Sequence, residues 1–111
     1  MNAFHPTGPL LSFTGANTAP TSVIAIANNA TIYQDMCLVN TDSANDCIIG
    51  WGASDADAKL AADVTKKSNN SYYLQHSTTQ IVRIPTGSYI TGITPGSTVT
   101  AVIYVQAGDG N

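Results

Sequence analysis

Short apolar runs separated by clusters of turn-forming residues constrain the fold of this chain most. They span residues 22–27, 36–40, 47–52, 71–75 and 79–84, with a shorter candidate at 31–33 and a final hairpin within 89–105. Runs of this length, rich in β-branched and aromatic residues, are typical of strands buried in a sheet. Because six to eight such strands do not alternate with helices, the sequence predicts an all-β fold, an antiparallel β-sandwich or jelly roll.

The final hairpin has the clearest strand signal. Thr94-Pro95-Gly96-Ser97 has proline and glycine at the positions that a type II turn prefers. In the arm that follows, one set of alternating positions is entirely apolar and predicts a strand inside a sheet: Val99, Ala101, Ile103 and Val105. We expect residues 108–111 to end the pairing.

One segment has a helical pattern, at residues 54–64. Ser54 or Asp55 can cap its first turn, and Leu60 and Val64 are four residues apart on one face. We therefore expect one short helix of two or three turns between two strands.

The first 20 residues contain three prolines, which favour extended backbone and interrupt any regular period. They predict an extended N-terminal arm (1–20) preceding a β-sandwich domain (21–111). The arm has four apolar anchors that a disordered tail would not need: Phe4, Leu10, Leu11 and Phe13. We expect it to lie either on its own domain or on a neighbouring molecule.

Composition restricts the partners. The chain has 111 residues, a formal net charge of −3, only four Lys and Arg residues, and no Glu. Phosphate binding needs concentrated cations, so nucleic acid is not an expected partner. No run approaches the roughly 18 apolar residues of a membrane span, and the first residues lack the pattern of a signal peptide, so a soluble, unexported protein is expected.

Two cysteines, Cys37 and Cys47, flank the polar segment 40–46. If that segment were a hairpin loop, the sulfurs would lie on neighbouring strands and a disulfide would be geometrically possible. Two buried free thiols are the interpretation that a reducing cytoplasm favours.

Candidate catalytic and metal-binding patterns are weak. His5 and His76 lack the Cys/His spacing of a zinc site, and the aspartates of residues 42–57 lack the pattern of a calcium loop with a distal Glu. A Ser-His-Asp set can be assembled on paper from any serine-rich chain. We therefore predict no metal, no cofactor and no enzymatic activity.

Aromatic residues offer a second type of site. Trp51, Tyr72, Tyr73, Tyr89 and Tyr104 have the flat faces and polar rims that suit saccharides and protein interfaces. Trp51, between two glycines, is interpreted as a core or interface residue. Tyr72 and Tyr73 face opposite sides of a strand, so at most one of them is in the core.

The order of motifs resembles a family of structural proteins. The run "VNTDSANDCIIGWGASDADAKLAA", followed by "SYYLQHSTTQIVRIPTGSYITGITPGSTVTAVIYVQAGDGN", is similar to small capsid decoration (cement) proteins of tailed bacteriophages. The resemblance covers residues 36–111 and lies mainly in turns and strand ends. It depends on Val39, Asn40, Gly50, Trp51, Gly52, Pro85, Gly87, Tyr89, Thr91, Gly92, Ile93, Thr94, Tyr104, Val105, Gly108, Asp109 and Gly110.

The resemblance implies a virion protein, made in the host cytoplasm, that binds the major capsid protein on the outside of the head as a homo-oligomer, typically a trimer, and stabilises the head. It implies no catalytic residues. A receptor- or glycan-binding module of a fibre or vertex is the alternative. The expected binding residues are the arm anchors together with Trp51 and Tyr73.

Overall fold

The computed structural model describes residues 5–15, 23–25, 33–62, 69–95 and 100–109. In these ranges the chain forms eight strands and one helix, and every strand pairing is antiparallel. The elements are β1 His5–Gly15, β2 Ile24–Ala25, β3 Tyr33–Asn40, β4 Cys47–Gly52, α1 Asp55–Ala62, β5 Ser71–Leu74, β6 Thr78–Pro85, β7 Tyr89–Ile93 and β8 Ala101–Asp109. The predicted all-β sandwich with one short helix is confirmed.

The strands form two four-stranded sheets. Sheet I has the order β1-β8-β3-β6, and sheet II has the order β2-β7-β4-β5. Apart from the step from β4 to β5, each strand is followed along the chain by a strand of the other sheet. Strands that are neighbours in a sheet are therefore mostly distant in sequence.

This connectivity corrects one expectation and decides between two alternatives. The predicted hairpin at the end of the chain is wrong, because β7 lies in sheet II and β8 in sheet I. The segment between Cys37 and Cys47 joins strands of different sheets and is not a hairpin loop, and both cysteines are free thiols, the interpretation that a reducing cytoplasm favoured. In each case the pattern located the strands correctly, but alternation along one strand does not determine which strand pairs with it.

The core lies between the two sheets. Strand β8 contributes alternate side chains to it, as its apolar pattern predicted: Ala101, Ile103 and Val105 are buried, whereas Val102 and Tyr104 are exposed. The other large core residues are Phe13, Met36, Leu38 and Ile84 from sheet I and Ile49, Trp51, Leu74 and Ile90 from sheet II.

Helix α1 packs on the outer side of sheet II. Its buried residues are Ala58, Ala61 and Ala62, whereas Leu60 is 54% exposed. Ser54 caps the helix, since its Oγ accepts a hydrogen bond from the Asp57 N–H at 3.2 Å. Alanines face the sheet because the helix backbone lies too close to β4 for larger side chains. Val64, the other member of the expected apolar pair, lies outside the described residues.

Residues 5–15 of the predicted arm form a strand of the sandwich itself. Strand β1 pairs along β8 from Gly15 opposite Ala101 to His5 opposite Asp109, with an irregular register between Pro6 and Leu10. Residues 5–15 therefore lie on their own domain and not on a neighbouring molecule. The pairing of β8 with β1 also continues to Asp109. The expectation that pairing ends before residues 108–111 is therefore wrong for Gly108 and Asp109, which are both paired.

Candidate interaction surface

The outer faces of the two sheets differ in what covers them. On sheet II, α1 lies directly over β4: a Cβ added to Gly50 would be 2.7 Å from the Ala61 carbonyl carbon, and one added to Gly52 would be 2.8 Å from that of Asp57. No described helix or strand lies over the outer face of sheet I. In the described part of the chain, sheet I is therefore the open side of the domain.

Strand register places the side chains of this open face in rows. One row crosses all four strands through Ser12, Tyr104, Val39 and Thr79. The adjacent row is formed by Leu10, Gln106, Cys37 and Ile81. Residues that are directly opposite across paired strands point to the same side of the sheet and contact each other.

The exposed apolar residues are concentrated on this face. Among the described residues, seven large hydrophobic side chains are exposed. Five belong to the outer face of sheet I, and Leu60 and Tyr73 lie elsewhere. The five are Leu10 (61% exposed), Tyr33 (57%), Val102 (41%), Ile81 (38%) and Tyr104 (36%). Large apolar side chains exposed together on one face indicate an interaction site on a protein surface.

The charge on this face is small and compensated. Asp35 and Arg83 are opposite each other on β3 and β6, and the Arg83 Nε donates to Asp35 Oδ1 at 2.9 Å. This hydrogen bond, with the charge of Asp35, raises the pKa of Arg83. Ser12, Thr79 and Gln106 supply neutral polar groups among the apolar residues of these rows.

The residues predicted to bind a partner are dispersed in the structure. Leu10 is on the open face, and Leu11 is half-buried against the core. Phe13 and Trp51 are core residues, 2% and 7% exposed. Tyr73 is exposed on β5, at the edge of sheet II, and Phe4 lies outside the described residues.

Other residues of the open face were not predicted. The alternation of β8 had already placed Val102 and Tyr104 on one side of that strand. Tyr33 and Ile81 belong to other strands, and their position on the same face depends on pairings between segments far apart in sequence. The open face was therefore only partly visible in the sequence.

Two connections at one end of the sandwich are joined by hydrogen bonds to Asp46. This carboxylate accepts from the Tyr73 hydroxyl at 2.7 Å, from the His76 N–H at 2.9 Å, and lies 2.7 Å from His76 Nδ1. The Tyr73 hydroxyl and the His76 donors lower the pKa of Asp46 to about 2, and Asp46 in turn raises the pKa of Tyr73. The cluster fastens the 75–77 turn to the 41–46 loop.

The Asp46 cluster predicts acid sensitivity. The carboxyl group of an aspartate in an unfolded chain has a pKa near 4. In the folded protein the pKa of Asp46 is lowered to about 2. Its contribution to stability is therefore complete above about pH 4 and is lost as the pH falls through about 2. The wild-type thermal midpoint should exceed that of Asp46→Asn by more at pH 5 than at pH 2. Parallel profiles of the two proteins in thermal melts would contradict this account.

Asp42 and Asn40 organise the 41–46 loop. Asp42 Oδ1 accepts hydrogen bonds from the N–H groups of Ala44 and Asn45, both at 2.8 Å, and these bonds lower the pKa of Asp42. The buried Asn40 amide donates to the Asn45 carbonyl at 3.0 Å. Within the described ranges, no three His, Cys or Asp side chains are grouped to hold a metal ion.

The two thiols lie in different environments. Burial raises the pKa of Cys47 to about 12, so this thiol stays protonated at neutral pH. Cys37 is half-buried on the open face, and partial burial raises its pKa as well. Because the thiolate is the reactive form, neither cysteine is poised for nucleophilic chemistry.

The five aromatic residues of the possible saccharide platform do not form one surface. Trp51 is in the core and Tyr104 is on the open face, whereas Tyr72 and Tyr73 are neighbours on β5. A small cleft of about 160 Å³ lies between the edges of β5 and β6. It is lined by Tyr72, Tyr73, Gln75, Thr78 and Gln80.

Comparisons of the chain with protein-family models, with curated proteins and with solved structures gave no match. In the described part of the chain, no helix has the length and apolar character needed to cross a membrane.

Proposed function

We propose that this chain is a capsid decoration protein that docks on the outside of a phage head through the outer face of sheet I. The observation that carries the proposal is the asymmetry of the sandwich. One sheet is covered by the protein's own helix, and the other exposes five large apolar side chains on one face. The motif resemblance of residues 36–111 supplies the identity of the partner, the major capsid protein.

The strand order supports this class of protein. We infer that sheets ordered β1-β8-β3-β6 and β2-β7-β4-β5, with the chain crossing between them at nearly every step, form a jelly roll. Jelly rolls are frequent among viral capsid proteins and lectins. The fold alone does not fix a function, so the open face has to carry the argument.

The character of the face fits docking in varied media. Burial of apolar area contributes about 25 cal/mol per Å² and does not depend on charge. The face has one compensated ion pair, Asp35–Arg83, and neutral polar groups elsewhere. Because screening by salt acts on charges, binding through this face should change little with ionic strength.

The size of the face calls for several copies. Four strands about 4.8 Å apart, with about eight residues each at about 3.3 Å per residue, give on the order of 500 Å². A standard interface buries about 800 Å² on each partner. One domain should therefore bind weakly, and an oligomer that touches several capsid subunits would gain affinity through high effective concentration.

The experiment is co-sedimentation of the purified protein with empty heads assembled from the capsid protein of the same genome. We expect saturable binding at hundreds of copies per head, with an affinity that changes less than about threefold between 0.05 and 0.5 M salt because little of it is electrostatic. Absence of binding, or binding of only a few copies at a tail or vertex, would contradict the proposal.

A glycan-binding module remains the alternative, and the cleft between β5 and β6 is the observation that favours it. The Tyr73 ring is exposed and held by Asp46, beside the amides of Gln75 and Gln80 and the hydroxyl of Thr78. An immobilised aromatic face with neutral polar neighbours suits a sugar ring. Titration of the protein with host surface glycans tests this, with Tyr73→Ala as the variant that should lose binding.

The proposed role requires no catalytic step, cofactor, nucleic acid or membrane. The partners are other copies of the chain and the major capsid protein, and the location is the capsid surface. Of the arm residues, Leu10 belongs to the docking face. Phe13 lies on the inner side of the same strand and packs in the core.

A further inference from the structure

The four outermost strands of the sandwich differ in how well they are protected against pairing with another chain. In sheet II, β5 has only four residues, and β2 is described only at Ile24–Ala25. In sheet I, β1 contains Pro6 and Pro9, and its register is irregular between Pro6 and Leu10. Short strands, prolines and bulges are the means by which proteins block strand addition at a sheet edge.

Strand β6 lacks this protection. It has eight residues and pairs with β3 in continuous register from Thr78 opposite Asn40 to Pro85 opposite Tyr33. Its other edge pairs with no described strand. Its only proline is the last residue, and its only charge, Arg83, is compensated by Asp35. A long, regular, β-branched edge is a template for another strand.

We infer that β6 pairs with β6 of a second copy, antiparallel, about a two-fold axis at Ile81. Residues opposite each other across two strands must point to the same side of the sheet, so the axis passes through a residue and its copy. Ile81 is the centre of Thr78–Ile84, the residues before Pro85. An axis at Val82 would bring Pro85, which has no N–H to donate, into the ladder.

The side chains of β6 are compatible with this pairing. Ile81 meets its own copy on the open face, where it is 38% exposed in the single chain, so pairing removes apolar area from water. Arg83 lies opposite Thr79 of the second copy. The two Arg83 side chains are then about four residue steps, or roughly 13 Å, apart, which is beyond the screening length in physiological salt.

Pairing also deepens the proposed function, on which this part of the inference rests. It joins sheet I of two copies into one continuous sheet and doubles the docking face to on the order of 1,000 Å². The paired unit has two-fold symmetry, in contrast to the trimer that the resemblance implies. A dimer of this kind presents two equivalent apolar faces on the same side, since the axis is perpendicular to the sheet.

Sedimentation velocity of the full-length protein tests the pairing. We expect twice the 11.5 kDa chain mass for the wild type. Ile81→Lys should be monomeric with an unchanged circular dichroism spectrum, because it places two like charges opposite each other and should weaken pairing at least about tenfold. Ser12→Lys, an exposed position on the protected β1, is the matched control and should stay dimeric.

Cross-linking provides a readout that does not depend on the folding of the lysine variant. Ile81→Cys, in a Cys37→Ser background to remove its neighbour on β3, should form a covalent dimer on mild oxidation. The inference would be overturned by any one of four results. These are a wild type that is monomeric up to about 1 mM, an oligomer that Ile81→Lys does not affect, a trimer, or the absence of a cross-link. A monomeric wild type that still binds heads would overturn only the pairing, and a dimer that binds no head only the proposed function.

Discussion

Replacement of Gly50 by alanine is expected to destabilise the domain more than any other single methyl addition on β4. The new Cβ would meet the backbone nitrogen of Ala62 and lie 2.7 Å from the Ala61 carbonyl carbon. These are main-chain atoms of α1, so no side-chain rotation relieves the collision and the helix must move off the sheet. Overpacking of this kind costs about 1–3 kcal/mol or more. Chemical denaturation should show that the free energy of unfolding falls by an amount near the upper end of this range.

Gly8→Ala is the matched control for this prediction. Its new Cβ would be 3.4 Å from the Ala107 Cβ, an ordinary contact, and no left-handed backbone conformation is required there. We expect its stability to stay within about 1 kcal/mol of the wild type. Equal losses in the two variants would mean that α1 does not lie against β4 as described. The outcome matters for function because the position of α1 is what leaves sheet I as the open side.

Leu10→Asp is expected to abolish head binding without unfolding the domain. Leu10 is 61% exposed on the open face, so the folded monomer tolerates a carboxylate there. In the docked state the same carboxylate would be buried without a partner, which costs several kcal/mol. Each 1.4 kcal/mol weakens binding tenfold. The affinity for heads, measured by co-sedimentation, should therefore fall at least about a hundredfold.

Leu60→Asp makes the same chemical change on the opposite side of the molecule. Leu60 is 54% exposed on α1, close to the exposure of Leu10. We expect this variant to bind heads like the wild type, and thermal melts should show both variants folded. If Leu60→Asp loses binding and Leu10→Asp keeps it, the docking face has been assigned to the wrong sheet.

The local structure was largely predictable from the sequence because it depends on neighbouring residues. The strand at Cys47–Gly52 and the alternation of β8 were correct, and of the two predicted capping residues, Ser54 and Asp55, Ser54 caps the helix. Each reflects a short-range effect: side-chain periodicity, an N-cap hydrogen bond, or turn residues that end a strand. These effects leave a direct pattern in the sequence.

The pairing of strands was not predictable in the same way. The Thr94-Pro95 turn was interpreted as a hairpin, but the chain crosses there from sheet II to sheet I. Leu10 and Tyr104 lie on one surface through pairings between residues about 90 positions apart. The candidate surface therefore required the structure, although the residue types that form it were evident in each strand.

The central claim is that the outer face of sheet I meets the shell. A cryo-EM map of decorated heads tests it most directly, because the side of the domain that carries α1 can be recognised in the density. The account predicts many copies over the head, with the row Leu10, Gln106, Cys37 and Ile81 against the capsid protein and α1 directed outward. Density with α1 against the shell, or the chain only at a tail or vertex, would contradict it.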